Sequence, residues 1–403
     1  MSTAVTAPKP LSLPDGRPAI SAWSLDPAIR HLNHGSFGAV PVAAQREQER
    51  LREAMHASPV EWFAGLPARV AAARAEIAGL LRVEPDATVL VPNASAGASV
   101  VFANLTAPAG GEIVVTDHGY GAVTMGAQRL ARRIGGRVRT ARVPLGADER
   151  TAFEAVAAEL TPATALIVLD HVTSPTGRLM PVGEVGREAR RCGVPLLVDG
   201  AHAPGMFDAP LAGVDCDFWI ANLHKFACSP PGAAVLVARG PQRDALFPLI
   251  DSWGATAPYP ARFDAQGTLD ATAYLAAPAA YRFVERTWGW DVARGYMTEL
   301  ADFGAAVVAA AFAALTGQEH VVDVGMPAPA LRLVRLPDGL APDREHADAL
   351  RDRVGRELGV GAAFSSFGGV GYLRLSAHVY NTAADYEHFA EHCVPVLAGW
   401  ARD

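Results

Sequence analysis

The sequence predicts an α/β fold: a large domain on a mainly parallel, seven-stranded sheet, followed by a smaller α+β C-terminal domain. Three observations carry this reading. Seven short β-rich runs, at 88–91, 112–116, 137–143, 165–170, 195–199, 218–221 and 233–238, are interspersed with helix-like stretches. Such alternation builds a parallel sheet covered on both faces. Two of the runs, LIVLD and PLLVD, are continuously apolar and end on a carboxylate; the carboxyl ends of such strands are where open α/β sheets bind ligands. Beyond about residue 290 the pattern changes to helices mixed with a few strands.

Residues 1–30 are Pro-rich and weakly patterned and read as an arm docked on the body; 31–288 form the large domain and 289–403 the small one. Ala, Arg, Glu and Leu dominate 43–81, with a break near Ser58-Pro59, which predicts two successive helices. Helices are expected at 125–134, 151–160 and 182–192 between the strands. In the small domain an Ala-rich helix at 291–315 precedes the strand ALRLVRL, a helix at 345–358, the strand GYLRLSA and a closing helix at 383–397.

A chain of 403 residues accommodates two large domains at roughly 100–200 residues each. Half the residues are hydrophobic and 19% are charged, which excludes a disordered chain. With 35 basic against 42 acidic side chains, the net charge of −7 offers no basic face for nucleic acid or an anionic membrane. Cys192, Cys216, Cys228 and Cys393 form no CxxC pair and have no matching histidine spacing, so reduced thiols are expected and no metal site. The N-terminus lacks a basic stretch followed by an apolar one, and a cytoplasmic location is expected.

Four segments carry chemistry. Lys225, beside His224, follows an apolar strand and precedes a Gly/Pro-rich turn. A lone lysine there is ordinarily a surface residue, but burial makes its neutral amine a nucleophile for an aldehyde. In LLVDGAHAPG, Asp199 ends a strand and His202 follows; the carboxylate is either a helix cap or the partner of a protonated pyridine nitrogen. In VPNASAGASVVFA, the small residues Ser95, Ala96 and Gly97 open a helix whose N–H groups suit a phosphate. Tyr120, in TDHGYGAV, supplies an aromatic ring, with His118 close by.

In chain order, from the Ser95 turn through Tyr120 and Asp199 to Lys225, these segments resemble the class V aminotransferase group of fold-type I pyridoxal-phosphate enzymes, and most closely its isopenicillin N epimerase-like branch. HLNHGSFGAVP, DHVTSPTGRLMPV, LLVDGAHAPG, CDFWIANLHKF, QGTLD and YLRLSAHVYNTAADYE match, from His31 to Glu387. The resemblance implies pyridoxal 5'-phosphate as cofactor and an amino acid as substrate. It implies that Lys225 forms the Schiff base, Asp199 pairs with the pyridine nitrogen and His202 bonds the ring oxygen. Ser95, the amide of Ala94 and His224 would hold phosphate. Tyr120, or His118 in its place, would stack on the ring, and Ser174 stands near the ring oxygen. Thr268 would reach the phosphate of a neighbouring subunit, which implies a homodimer with sites at the subunit interface. Arg374 would grip the substrate carboxylate, and Asn33 and His34 would line the substrate entrance.

Two departures narrow the reaction. Cysteine desulfurases, which the chain also resembles, carry a nucleophilic cysteine shortly before the arginine, whereas GVGAAFSSFGGVGYL has none. Ser174 replaces their asparagine, as in isopenicillin N epimerase-like proteins. The first expectation is β-elimination from an S-substituted cysteine after Cα deprotonation by Lys225, because it needs only one base and a leaving group. Epimerisation is the alternative, followed by transamination, decarboxylation-coupled deamination and a non-catalytic binding module. Trp253, Tyr259, Arg262 and Phe367 are open between pocket and packing roles.

Overall fold

The structure, a computed structural model, describes residues 5–402, so the first four residues of the expected arm lie outside it. The chain forms two compact units. One comprises 40–172 and 180–283; the other gathers the described residues before 40, the segment 173–179 and the residues after 283.

The first unit is built on β1 (Thr88–Val91), β2 (Glu112–Thr116), β3 (Arg137–Ala141), β4 (Thr164–Asp170), β5 (Leu196–Asp199), β6 (Phe218–Asn222) and β7 (Ala234–Ala238). Their order in the sheet is β1-β7-β6-β5-β4-β2-β3, with only β7 antiparallel to its neighbours. Every residue of β1, β2 and β4–β7 is buried, which is why most of these strands read as unbroken apolar runs. The edge strand β3 instead carries Arg137 and Arg139, charges that discourage further pairing.

Helices α1 (Val42–Ala57) and α2 (Pro59–Leu80) meet at Ser58, where Pro59 takes the first position of the second helix and needs no N–H partner. Helix α3 (Ala94–Asn104) lies close on β6; a Cβ at Gly97 would sit 2.8 Å from Ile220 Cγ2. Helices α4 (Gly121–Arg133), α5 (Glu149–Ala157) and α6 (Val182–Cys192) follow the expected alternation. Helix α7 (Thr272–Thr287), with Pro278 inside it, has no counterpart in the sequence reading.

The second unit holds a three-stranded antiparallel sheet of β8 (Leu331–Arg335), β9 (Ala363–Phe367) and β10 (Val370–Ser376), in the order β9-β10-β8. Helix α8 (Trp290–Thr316) is apolar and long enough to cross a membrane by length and composition. Its buried residues, from Trp290 through Met297, Leu300 and Gly304 to Phe312, recur every three or four positions in the manner of a core-facing helix. Helix α9 (Arg344–Leu358) covers β9. The single closing helix that the sequence predicts is instead α10 (Ala383–His388), a π-turn at Phe389–Cys393 and α11 (Val394–Trp400). Pro395 has no N–H to give to the preceding turn, and the wider turn absorbs that loss.

The N-terminal residues up to 39 belong with this second unit, not with the large domain expected to begin at 31. The cause is backbone pairing: Arg30–His31 forms a parallel ladder with Val360–Gly361. The segment 173–179 joins the same unit through Ala328 N–H to Gly177 O and Leu179 N–H to Met326 O.

Candidate active site

The carboxyl ends of β4, β5 and β6 bring the reactive side chains of the first unit together. Asp170 closes β4 and Asp199 closes β5, and the two face each other in register. Both are buried. Asp199 Oδ1 accepts the Ala201 N–H at 3.0 Å, and Asp170 Oδ1 accepts the Tyr120 N–H at 3.3 Å. Lys225, three residues past β6, is 9% exposed, and its Nζ lies 3.1 Å from His202 Nε2.

Glycines allow this convergence. Gly205 has φ +86, and a Cβ there would overlap the Phe226 carbonyl, so the turn after His202 lies directly on the chain beside Lys225. A Cβ at Gly200 would meet the Trp219 indole.

Burial raises the pKa of Asp199, while the Ala201 amide and the charge of Lys225 oppose the rise. Burial and the charge of Asp199 push Asp170 well above the ordinary carboxylate range. Burial, aided by Lys225, lowers the His224 imidazole to about 4. Its Nδ1 is buried and makes no hydrogen bond. An anion placed there would supply a partner and restore the ring's affinity for a proton.

The start of α3 is anchored beside this group, since the Ala94 N–H donates to Asn222 Oδ1 at 2.8 Å. The Ala96 N–H donates to Asn93 Oδ1, and the Gly97 N–H to Asn93 O. Among the described residues, that leaves the Ser95 amide and hydroxyl open. The expected use of the Ala94 and Ala96 amides for phosphate is therefore corrected: both are already spent on asparagine side chains. Thr268 is exposed.

His118 and Tyr120 differ in exposure. His118 has no exposed surface, and its Nε2 is bonded to Val143 O at 2.8 Å, a tie at the ring edge that fixes the plane of the imidazole. Tyr120 is 43% exposed, with its backbone on Asp170. Tyr259 and Arg262 are also internal ties: the Tyr259 hydroxyl donates to Ala87 O, and Arg262 donates to the carbonyls of Ala257, Asp244 and Leu246.

The second unit holds its own cluster. Arg374, on β10, is 4% exposed and donates to Ser174 O at 2.5 Å, Ser174 Oγ at 3.2 Å, Ser36 Oγ at 2.6 Å and Asn33 Oδ1 at 3.4 Å. These neutral oxygens orient the guanidinium without cancelling its charge. Ser174, expected beside the cofactor ring, thus anchors the arginine through two oxygens. Asn33 lines a cavity of about 500 Å³ with His31, Phe37 and Arg356. His34 is not among the residues lining this cavity. Its ring is fully buried, stacked 3.9 Å from His378 and bonded through Nδ1 to the Tyr380 hydroxyl at 2.8 Å.

Sequence reasoning placed Asp170, the carboxylate ending LIVLD, at the ligand edge without giving it a role of its own, and passed over Asn222 and Ser36. The signal for the first two was present: each is a polar residue ending an otherwise apolar strand. Ser36 carried no comparable signal, because its role depends on a partner 338 positions away.

A buried lysine on an imidazole, two carboxylates at neighbouring strand ends and an open helix start define a fold-type I site of the kind that binds pyridoxal phosphate. The model of the family "Aminotransferase class-V" matches residues 37–311, and the chain belongs to that family, in its isopenicillin N epimerase-like branch. It is 30% identical over 401 residues to isopenicillin N epimerase of Streptomyces clavuligerus, covering 94% of this chain and 98% of that one. It is 30% identical over 288 residues to a probable chloroplastic L-cysteine desulfhydrase of Arabidopsis thaliana, covering 66% of this chain and 60% of the relative. Among solved structures, the cystine C–S lyase C-DES in complex with cysteine persulfide superposes with a TM-score of 0.76 at 19% identity, over 92% of this chain and 97% of that one.

Proposed function

We propose that this chain is a pyridoxal-phosphate enzyme that removes the α-proton of an S-substituted cysteine and releases its sulfur group, a C–S lyase. The observation that carries the reading is Lys225: one buried amine, 3.1 Å from His202, at the strand ends that hold Asp199 and Asp170. The open Ser95 donors and the partnerless His224 Nδ1 fit the cofactor's phosphate, and Asp199 fits its pyridine nitrogen. When bound, pyridoxal phosphate supplies a carbonyl carbon for an amine to join and a ring that withdraws electrons from Cα.

The protein's residues do the rest. Arg374 binds the substrate carboxylate, held to one orientation by Ser174, Ser36 and Asn33. Lys225 takes the proton from Cα, and His202 orients its amine. Asp199 would supply the negative charge that holds the pyridine nitrogen, and Tyr120 would cover the ring. Loss of the Cα proton drives electrons toward Cβ, the Cβ–S bond breaks and sulfur leaves as a thiol. With one water consumed, the products are pyruvate, ammonia and that thiol.

Thr268 is exposed on the same unit as a run of exposed apolar residues, Phe247, Leu249, Ile250 and Trp253, and both features suit a homodimer whose partner covers this face. All four cysteines are free, which suits the cytoplasm.

Epimerisation is the second reading, favoured by the match that spans 98% of the Streptomyces clavuligerus epimerase. Incubating the loaded protein with S-substituted cysteines in deuterium oxide separates the two. Pyruvate and free thiol support elimination; deuterium at Cα of intact substrate supports epimerisation. Full turnover by Lys225→Ala would overturn both.

A further inference from the structure

We propose that Asp170 is a positioning residue that carries the single proton of a carboxyl–carboxylate pair with Asp199, leaving Asp199 as the ionised member that faces the cofactor. This deepens the proposed function and rests on it for the role of Asp199; the placement of the proton rests on the protein alone.

The geometry begins with strand register. Asp170 and Asp199 are Cα partners on adjacent parallel strands, so their side chains leave the same face of the sheet about 4.8 Å apart at the backbone. They are 5% and 3% exposed. Two carboxylates this close and this dry do not both ionise unless enough positive charge faces them.

The groups that face Asp170 are few. Asp199 comes from β5, the Tyr120 N–H from the turn between β2 and α4, and the charge of Lys225 from the segment after β6. His118, on the same turn as Tyr120, is committed to Val143 O, and His202 to Lys225. Among the described residues, Lys225 is the cation whose charge acts on both carboxylates; it balances one of them, and one proton on the pair removes the surplus charge.

The partners decide which residue keeps that proton. Asp199 accepts the closer amide, 3.0 Å against 3.3 Å. Asp170 feels burial and the charge of Asp199 together, and its pKa lies well above the ordinary range. A neutral Asp170 therefore lets Asp199 stay anionic in a site where neighbouring charge would otherwise push it toward the acid form.

Infrared spectra of the full chain, with pyridoxal phosphate bound and after its removal, read the carbonyl stretch of a protonated carboxyl. The expected result is such a band at pH 7 that Asp170→Asn abolishes. In Asp199→Asn the band persists but titrates away at a pH lower by about one unit or more, because the like charge is gone. No band in the wild type, or an unchanged band in Asp170→Asn, overturns the proposal. Should Asp170→Asn fail to fold, Asp199→Asn decides: an unshifted titration refutes it. Failure of the cofactor reading is a different result, namely no borohydride-sensitive visible band on adding pyridoxal phosphate, with the infrared band of the cofactor-free chain intact.

Discussion

Gly205→Ala tests how His202 is brought to Lys225. Two costs follow from the structure. The backbone at Gly205 has φ +86, a region that costs an L-residue about 1–2 kcal/mol. The new Cβ would also overlap the Phe226 carbonyl and come within 2.9 Å of the Ala227 nitrogen. Those atoms are backbone and cannot rotate away, so the turn must shift, at about 1–3 kcal/mol for an overpacked site. The sum is about 2–5 kcal/mol. Gly193→Ala is the matched control: it too has positive φ, +67, but no atom lies within 4 Å of its Cβ position, so only the first cost applies. Urea unfolding followed by far-UV circular dichroism measures both variants, and absorbance titration measures their affinity for pyridoxal phosphate. Gly205→Ala is expected to lose more stability than the control and to bind the cofactor more weakly. Equal losses in the two variants, with cofactor affinity unchanged, would refute the claim that this close approach sets the lysine–histidine contact.

Other substitutions read other parts of the molecule. Arg374→Lys keeps the charge but cannot span Ser174, Ser36 and Asn33 while pairing two oxygens of a carboxylate; losing one or two charged hydrogen bonds costs about 2–4 kcal/mol, or roughly 30- to 1000-fold in kcat/KM. A loss under threefold in steady-state kinetics would remove the arginine from substrate binding. Arg74 and Asp264 form a buried two-bond ion pair at 3.0 Å, and Arg74→Met strands the carboxylate at a cost of about 3–5 kcal/mol, measurable by urea unfolding. Stability should also fall with acid. Burial lowers His171 from 6.5 to about 4, so the unfolded chain takes up its proton first, and the stability present above about pH 6.5 drains away as pH falls toward 4. At pH 5 this amounts to about 2 kcal/mol. His224 adds a loss of the same sign. His171→Phe preserves the stack on Phe207 and should flatten the urea midpoint between pH 7 and pH 5; an unchanged slope would exclude His171 as a source.

The parts of this molecule that could be read from the sequence are those where burial dictates composition locally. LIVLD, PLLVD and FWIAN announce strands because both faces are covered, and a polar terminus on such a strand has one place to go, the ligand edge. That logic singles out Asp170 and Asp199 at the ends of LIVLD and PLLVD, and carried to FWIAN it marks Asn222 as well. What it could not assign is the partner. The Ala94 amide looks like a phosphate donor until Asn222, 128 residues later, is seen to take it. Ser174 looks like a cofactor ligand until Arg374, 200 residues later, claims both its oxygens. His34 looks like a rim residue until His378 and Tyr380 enclose it. In each case residue type fixes what a group can do, and a distant contact decides whether it is free to do it. The same rule explains the unit boundary: nothing within 173–179 marks it as foreign to its flanking strand and helix, and only its backbone bonds to Met326 and Ala328 assign it to the second unit. Side chains that meet across such distances are set by the fold as a whole, so substitutions at Asn222 and Ser36 should act through Ala94 and Arg374 before they act on any ligand.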